Sequence, residues 1–201
     1  MTPMRIVVAS GNAHKIEEIQ QLMGRFTVQS FDSVFGYPHS AVEDGVTFAE
    51  NAMKKISFLP LYPNTIYLAD DSGIEVDAMD GRPGIHSARY APPDQMCATL
   101  LAELGDHVNR VARFRCVIAL RFPDGRSVTV DGRVDGHIYD REMGSNGFGY
   151  DPIFIPDGFV QTFGEMTADQ KNQLSHRARA LSAAAKLIDE MVGGGADFDV
   201  N

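Results

Sequence analysis

Two adjacent carboxylates, Asp70 and Asp71, lie in the run Ala69-Asp70-Asp71-Ser72-Gly73, directly after the strand-like segment Thr65-Ile66-Tyr67-Leu68. At the end of a buried strand they concentrate negative charge where the chain becomes flexible. That arrangement suits a hard, oxygen-liking cation such as Mg²⁺. Read alone, the same residues are more often a solvated acidic turn, so the rest of the chain must decide.

The run Ser10-Gly11-Asn12-Ala13-His14-Lys15 stands at a strand-to-helix junction. A helix start offers free N–H groups and a partial positive charge. Gly11 lets a ligand approach the backbone, Ser10 and Asn12 add short donors, and Lys15 adds a full charge. This is chemistry for phosphate, although the GxxxxGK[ST] spacing of a P-loop is absent. An ordinary Asn cap beside a solvated lysine explains the segment equally well.

Gly144-Ser145-Asn146-Gly147-Phe148-Gly149-Tyr150-Asp151-Pro152 joins flexible backbone to two aromatics and a carboxylate, with its glycines out of Rossmann order. An aromatic stacks on a base, and a carboxylate accepts from a base N–H edge; Phe148 as plain core is the equal alternative. In Lys171-Asn172-Gln173-Leu174-Ser175-His176-Arg177, helical spacing puts Lys171 and Ser175 on one face and Asn172 and His176 on the next. A polar patch this dense suits a purine edge, whereas a lone His or Arg there is more often solvated. Glu43 falls in a loop. Glu50 is as well explained by helix capping as by catalysis, and Lys54 and Lys55 read better as solvated surface than as phosphate ligands.

Strands and helices interleave around these segments. The spacing predicts a strand over residues 5–10, a helix over about 14–23 and a strand over 27–31, then a loop over 32–45. Thr47-Phe48-Ala49-Glu50 has the capping-box pattern and starts a helix near Phe48 that Pro60 and Pro63 end. After the Asp-Asp loop, residues 74–78 alternate as a strand. Pro92-Pro93-Asp94 opens a helix with Cys97, Leu100, Leu101 and Leu104 on its apolar face. Residues 111–122 and 127–139 form a hairpin about Pro123-Asp124-Gly125, and a short strand follows at 153–155. A last helix starts near Thr167, with Gln170 completing a capping box. It carries Leu174, Leu181 and Ile188, and stops at Gly193-Gly194-Gly195; residues from about 196 to 201 read as a frayed tail. The pattern is α/β with a mixed sheet, and no repeat or linker divides residues 1–201.

With 201 residues, 44% of them hydrophobic and 22% charged, the chain is long enough for one full core. Its formal net charge of -9 disfavours nucleic acid and anionic membrane as partners. An anionic substrate therefore needs a local cation cluster or a metal. Cys97 and Cys116 have no zinc or disulfide spacing. The N-terminal apolar run is too short for a signal peptide or a membrane span, so a reduced cytoplasm is expected.

Together these segments resemble the inosine triphosphate pyrophosphatase family, also called HAM1-like or non-canonical purine nucleotide pyrophosphatases. The resemblance rests on Ser10 to Lys15, Thr47 to Ala52, Ala69 to Asp77, Pro83 to Tyr90, Gly147 to Phe154 and Ser175 to Arg177. These stand in the family's order and cover nearly the whole chain. The resemblance implies a homodimeric α/β domain with a long mixed, twisted sheet and a cleft between two lobes. It implies Mg²⁺-dependent hydrolysis of ITP, dITP and XTP to the monophosphate and pyrophosphate. By position, Asp71 resembles the general base and a metal carboxylate, and Ser10, Gly11, Asn12, Ala13, His14 and Lys15 resemble the triphosphate site. Ser72 resembles a further substrate contact, and Phe148, Gly149, Tyr150, Asp151, Lys171, His176 and Arg177 resemble the base and sugar pocket. In Val42-Glu43-Asp44-Gly45 the resemblance points to Glu43 as the second metal carboxylate, with Asp44 as the alternative. A Maf-like pyrimidine or modified nucleotide pyrophosphatase and a non-catalytic nucleotide sensor are the rival readings.

Overall fold

The computed structural model describes residues 4–193; the expected glycine stop beyond Gly193 and the tail at 196–201 lie outside them. In chain order the elements are β1 (Arg5–Val8), α1 (Ala13–Leu22), β2 (Thr27–Ser30), α2 (Phe31–Phe35), α3 (Phe48–Ser57) and β3 (Thr65–Val76). There follow α4 (Met96–Leu104), β4 (Val111–Arg121), β5 (Ser127–Ile138), β6 (Phe154–Pro156), α5 (Ala168–Leu174) and α6 (His176–Gly193). Short 3₁₀ turns occupy Asp77–Met79, Gly84–Arg89 and Asp151–Ile153.

The six strands form one mixed sheet in the order β2-β1-β3-β4-β5-β6. β1 runs parallel to both β2 and β3, and every later neighbour is antiparallel. The hairpin expected about Pro123-Asp124-Gly125 is present as β4 and β5. Gly125 takes the turn's left-handed position at φ 89, a conformation open to glycine at little steric cost.

Because side chains alternate along a strand, the sheet sorts its residues onto two faces. Ile6, Val8, Ile66, Leu68 and Ile118 pack with Ile19, Met23, Leu181 and Ile188 beneath α1 and α6. Val7, Tyr67, Ala69, Val117 and Ala119 pack on the other face with Phe48, Ala52 and Ile56 of α3. A third cluster gathers Ile74, Val76 and Phe114 with Leu100, Leu104, Phe154 and Phe163.

Several boundaries differ from those expected. β1 ends at Val8 rather than at residue 10, and Phe31 opens α2 instead of extending β2, so the loop at 32–45 begins with helix. The Asp-Asp loop does not exist: β3 runs unbroken from Thr65 to Val76. Its acidic residues stay in the strand because each meets a cation held by another element. The last helix is two helices. Ser175, with φ -65 and ψ 159, breaks it. The Ser175 N–H donates to the Lys171 carbonyl at 2.9 Å, and its Oγ accepts from the Ala178 N–H at 3.2 Å. One serine thus closes α5 and caps α6. The capping box of Thr167 and Gln170 is formed as expected.

Candidate active site

Strand alternation sends Asp70 and Asp71 to opposite faces of the sheet. Asp70 belongs to the face beneath α1 and α6 and is 1% exposed. Its Oδ2 accepts from Arg177 Nε at 2.9 Å and from Cys116 Sγ at 3.0 Å; its Oδ1 accepts from Lys15 Nζ and from Ser72 Oγ. Arg177 also donates to Ser72 Oγ at 2.9 Å and to Glu18 Oε2. Lys171 Nζ then links Glu18 Oε1 at 2.8 Å to Asp151 Oδ2 at 2.6 Å. The chain Lys15–Asp70–Arg177–Glu18–Lys171–Asp151 alternates in sign, so each buried charge has a partner of opposite sign.

Burial would raise the Asp70 carboxyl, but Arg177 and Lys15 outweigh it and hold the group well below the usual carboxylate range. Glu18 is lowered in the same way, with Arg177 and Lys171 prevailing over burial. Asp151 is raised, because burial exceeds the pull of Lys171. Burial and then the Asp70 carboxylate push the Cys116 thiol up, which keeps it protonated and unreactive.

On the α3 face, Lys55 Nζ lies 3.0 Å from Asp71 Oδ1 and 3.1 Å from Glu43 Oε1, and it donates to the Asp70 carbonyl at 2.9 Å. Arg89 Nη1 holds Glu43 Oε2 at 3.0 Å. Asp44 instead pairs with Lys54 at the surface, so Glu43, not Asp44, shares a cation with Asp71. Burial pushes the Asp71 carboxyl above its usual value, and Lys55 only partly offsets this. Lys55 is raised, as Asp71 and Glu43 outweigh its own burial. Asp71 Oδ2 is buried and has no partner among the described residues. Two carboxylates facing one gap, one of them with an unserved oxygen, are a donor set that fits Mg²⁺.

Between α1, the 144–151 loop and the start of α6 lies a cavity of about 580 Å³, within the usual range for small-molecule sites. The predicted residues Asn12, Ala13, His14, Lys15, Ser72, Phe148, Gly149, Tyr150, Asp151, Lys171, His176 and Arg177 all line it. Asn12 caps α1, its Oδ1 accepting from the Lys15 N–H at 3.1 Å. Ser10, Gly11, Glu43 and Asp71 are not among its lining residues; Ser10 Oγ accepts from the Asn12 N–H at 3.1 Å. Phe148 is half-buried, not core, and stacks on His14 with ring centroids 5.3 Å apart. His176 is buried and stacks on Phe114 at 4.7 Å. Its Nδ1 has no partner among the described residues. Burial, then the charges of Arg177 and Lys171, hold this imidazole well below its usual value, so it is neutral at pH 7.

Two close approaches position these groups. A Cβ on Gly132 of β5 would overlap the His176 carbonyl and the Ala180 amide, so glycine lets α6 start directly against the sheet. A Cβ on Gly73 would overlap the Gly84 carbonyl and Ser87 Oγ, and Ser87 Oγ in turn accepts from the Ile74 N–H at 2.9 Å.

Hydrogen bonding limits what several of these side chains can offer a ligand. The Asp151 Oδ2 is taken by Lys171 and by the Phe148 N–H at 2.8 Å, so that oxygen is not free to read a base. The Tyr150 hydroxyl is spent on the Ser87 carbonyl at 2.9 Å. Glu50 serves its own helix start, accepting from the Val46 N–H at 2.9 Å. Asn172 bonds Gln21 at the surface. Lys55 is buried, not solvated. Lys55, Glu18 and Arg89 join the site through partners distant in sequence. Only Glu18 carried a local signal: it stands three residues after Lys15, on the same face of α1.

A profile of the Ham1 family matches residues 6–187. A dITP/XTP pyrophosphatase of Leuconostoc mesenteroides is 43% identical over 201 residues, covering 95% of this chain and 100% of that protein. One from Shouchella clausii is 45% identical over 194 residues, covering 92% and 96%. Among solved structures, the Staphylococcus aureus Ham1 protein superposes with a TM-score of 0.81 at 36% identity, covering 93% of this chain and 99% of that one. A nucleoside-triphosphatase / dITP/XTP pyrophosphatase of Mycobacterium abscessus gives a TM-score of 0.70 at 37% identity, covering 90% and 98%. These relatives do not favour the Maf-like reading.

Proposed function

The chain belongs to the Ham1 family, and from that membership and the chemistry of its cavity we infer that it hydrolyses the non-canonical purine nucleoside triphosphates dITP, XTP and ITP to the monophosphate and pyrophosphate. The observation that carries this reading is one cavity that joins phosphate-binding groups to a stacking ring and a neutral buried imidazole.

The residues divide the work by chemistry. The α1 start, with Asn12 and Lys15, offers N–H groups and a charge to the phosphates. Phe148 offers a ring face to the base. His176, neutral and with Nδ1 unserved, can donate an N–H to a 6-oxo group and leaves a 6-amino group mismatched. Asp71, raised toward working pH by burial, is the acceptor for the proton of the attacking water, a role typically worth about 10²–10⁴-fold. Glu43 and Asp71 would hold Mg²⁺, which supplies charge neutralisation at the phosphates and orientation of the leaving pyrophosphate.

The same reading makes the protein a cytoplasmic homodimer built from one two-lobed α/β domain. Among the described residues no helix is long and apolar enough to cross a membrane. Pyrophosphate release from ITP, XTP, dTTP and UTP, with and without Mg²⁺, tests the reading. Turnover of ITP and XTP that requires Mg²⁺ is expected. Dominant turnover of dTTP or UTP contradicts it, and tight ITP binding without pyrophosphate release makes the protein a nucleotide sensor.

A further inference from the structure

We propose that Lys55 holds the place of the divalent cation in the free protein, and that the cation enters only together with the triphosphate, which draws the Lys55 ammonium off Glu43 and Asp71. This rests on the reading that those two carboxylates hold Mg²⁺.

The position of Lys55 Nζ is fixed by three oxygens: Asp71 Oδ1 at 3.0 Å, Glu43 Oε1 at 3.1 Å and the Asp70 carbonyl at 2.9 Å. The side chain is buried, so the ammonium cannot sample solvent without leaving this gap. An ammonium and a divalent ion at one gap repel strongly at such short range. The local charge is also already balanced: Glu43 and Asp71 face Lys55 and Arg89. The free protein therefore has no net negative charge here with which to recruit a cation.

Ligand count points the same way. Mg²⁺ demands octahedral oxygen coordination and is usually bound by one or two carboxylates plus substrate phosphates. Among the described residues no group of three or more His, Cys, Asp or Glu could hold a metal. The missing oxygens must come from phosphate and water. A triphosphate brings them, and its charge gives the three donors of Lys55 new acceptors. Arg89 keeps Glu43 in place when Lys55 departs, since its guanidinium also reaches the Glu43 backbone carbonyl at 3.4 Å.

The test is Mn²⁺ binding, followed by electron paramagnetic resonance of the free ion, to the wild type and to Lys55→Met, with and without an α,β-imido analogue of ITP. The wild type alone should bind Mn²⁺ weakly. Lys55→Met alone should bind it at least about tenfold more tightly, and Glu43→Gln in the Lys55→Met background should abolish that gain. The wild type with analogue should bind Mn²⁺ more tightly than the analogue does by itself. Wild type that binds Mn²⁺ without nucleotide as tightly as Lys55→Met overturns the proposal, and this needs no variant beyond a folded one checked by circular dichroism. A ternary complex with no gain in Lys55→Met overturns the place-holding role and leaves the metal reading standing. If the wild type adds nothing to the analogue's own affinity for Mn²⁺, the metal reading falls and the proposal falls with it.

Discussion

Arg177 Nε donates to Asp70 Oδ2 at 2.9 Å, and both residues are 1% exposed. This contact ties the first turn of α6 to the central strand across 107 residues of sequence. Asp70→Asn keeps the shape but leaves Arg177 and Lys15 without their shared counter-charge. Breaking a buried pair in this way costs about 3–5 kcal/mol, to be read as a lower denaturant midpoint at pH 7. The acid limb carries a second signature. Arg177 and Lys15 hold Asp70 below its usual value of 3.8, so its stabilising contribution is complete above that value and is lost as pH falls through the lower folded value. The variant should lose less stability than the wild type below pH 4.

His176 gives a second acid-side readout, at higher pH than that of Asp70. Its folded value is far below the ordinary 6.5, so the unfolded chain binds the proton more readily. Stability therefore declines as pH falls below about 6.5 and continues to decline toward the folded value. His39, also lowered by burial, adds to the same trend. Urea denaturation at pH 7, 6 and 5 should show a shallower decline in His176→Gln than in the wild type. Identical slopes would mean that His176 is not held neutral.

Gly132→Ala tests the seat of α6. The added methyl meets the backbone of His176 and Ala180, which cannot swing aside as a side chain can. The expected cost is about 1–3 kcal/mol, with weaker discrimination between ITP and ATP because His176 and Arg177 shift together. Wild-type stability and discrimination would show that the helix has slack at this point.

Lys15→Ala should raise KM for ITP and XTP alike and leave their ratio unchanged, because in the proposed reaction the ammonium would serve phosphates common to both. Steady-state kinetics on the two nucleotides decides. A changed ratio at unchanged KM would place Lys15 at the base instead.

Local features are legible in the sequence. The Asn12 cap, the Thr167–Gln170 capping box and the turn at Gly125 each depend on neighbours within a few residues, and each is formed. What the sequence does not reveal depends mainly on distant partners. Asp70-Asp71-Ser72-Gly73 has the composition of a loop. It continues β3 because Lys15, Lys55 and Arg177 arrive from three separate helices to neutralise it. Lys55 looked solvated because its partners Glu43 and Asp71 lie outside its own helix. The break at Ser175 was hidden because the apolar spacing of Leu174, Leu181 and Ile188 carries across it. In the site, the families of residues were legible, but not the division of Asp70 and Asp71 between two faces, which follows only once the strand is known to be unbroken.

The role proposed for Asp71 is to accept the proton of the water that cleaves the triphosphate. Pyrophosphate release from dITP in Mg²⁺ by Asp71→Asn, an isosteric change that removes the base, tests it most directly. A loss of about 10²–10⁴-fold in kcat is expected, with the fold retained by circular dichroism. Release at the wild-type rate would contradict it.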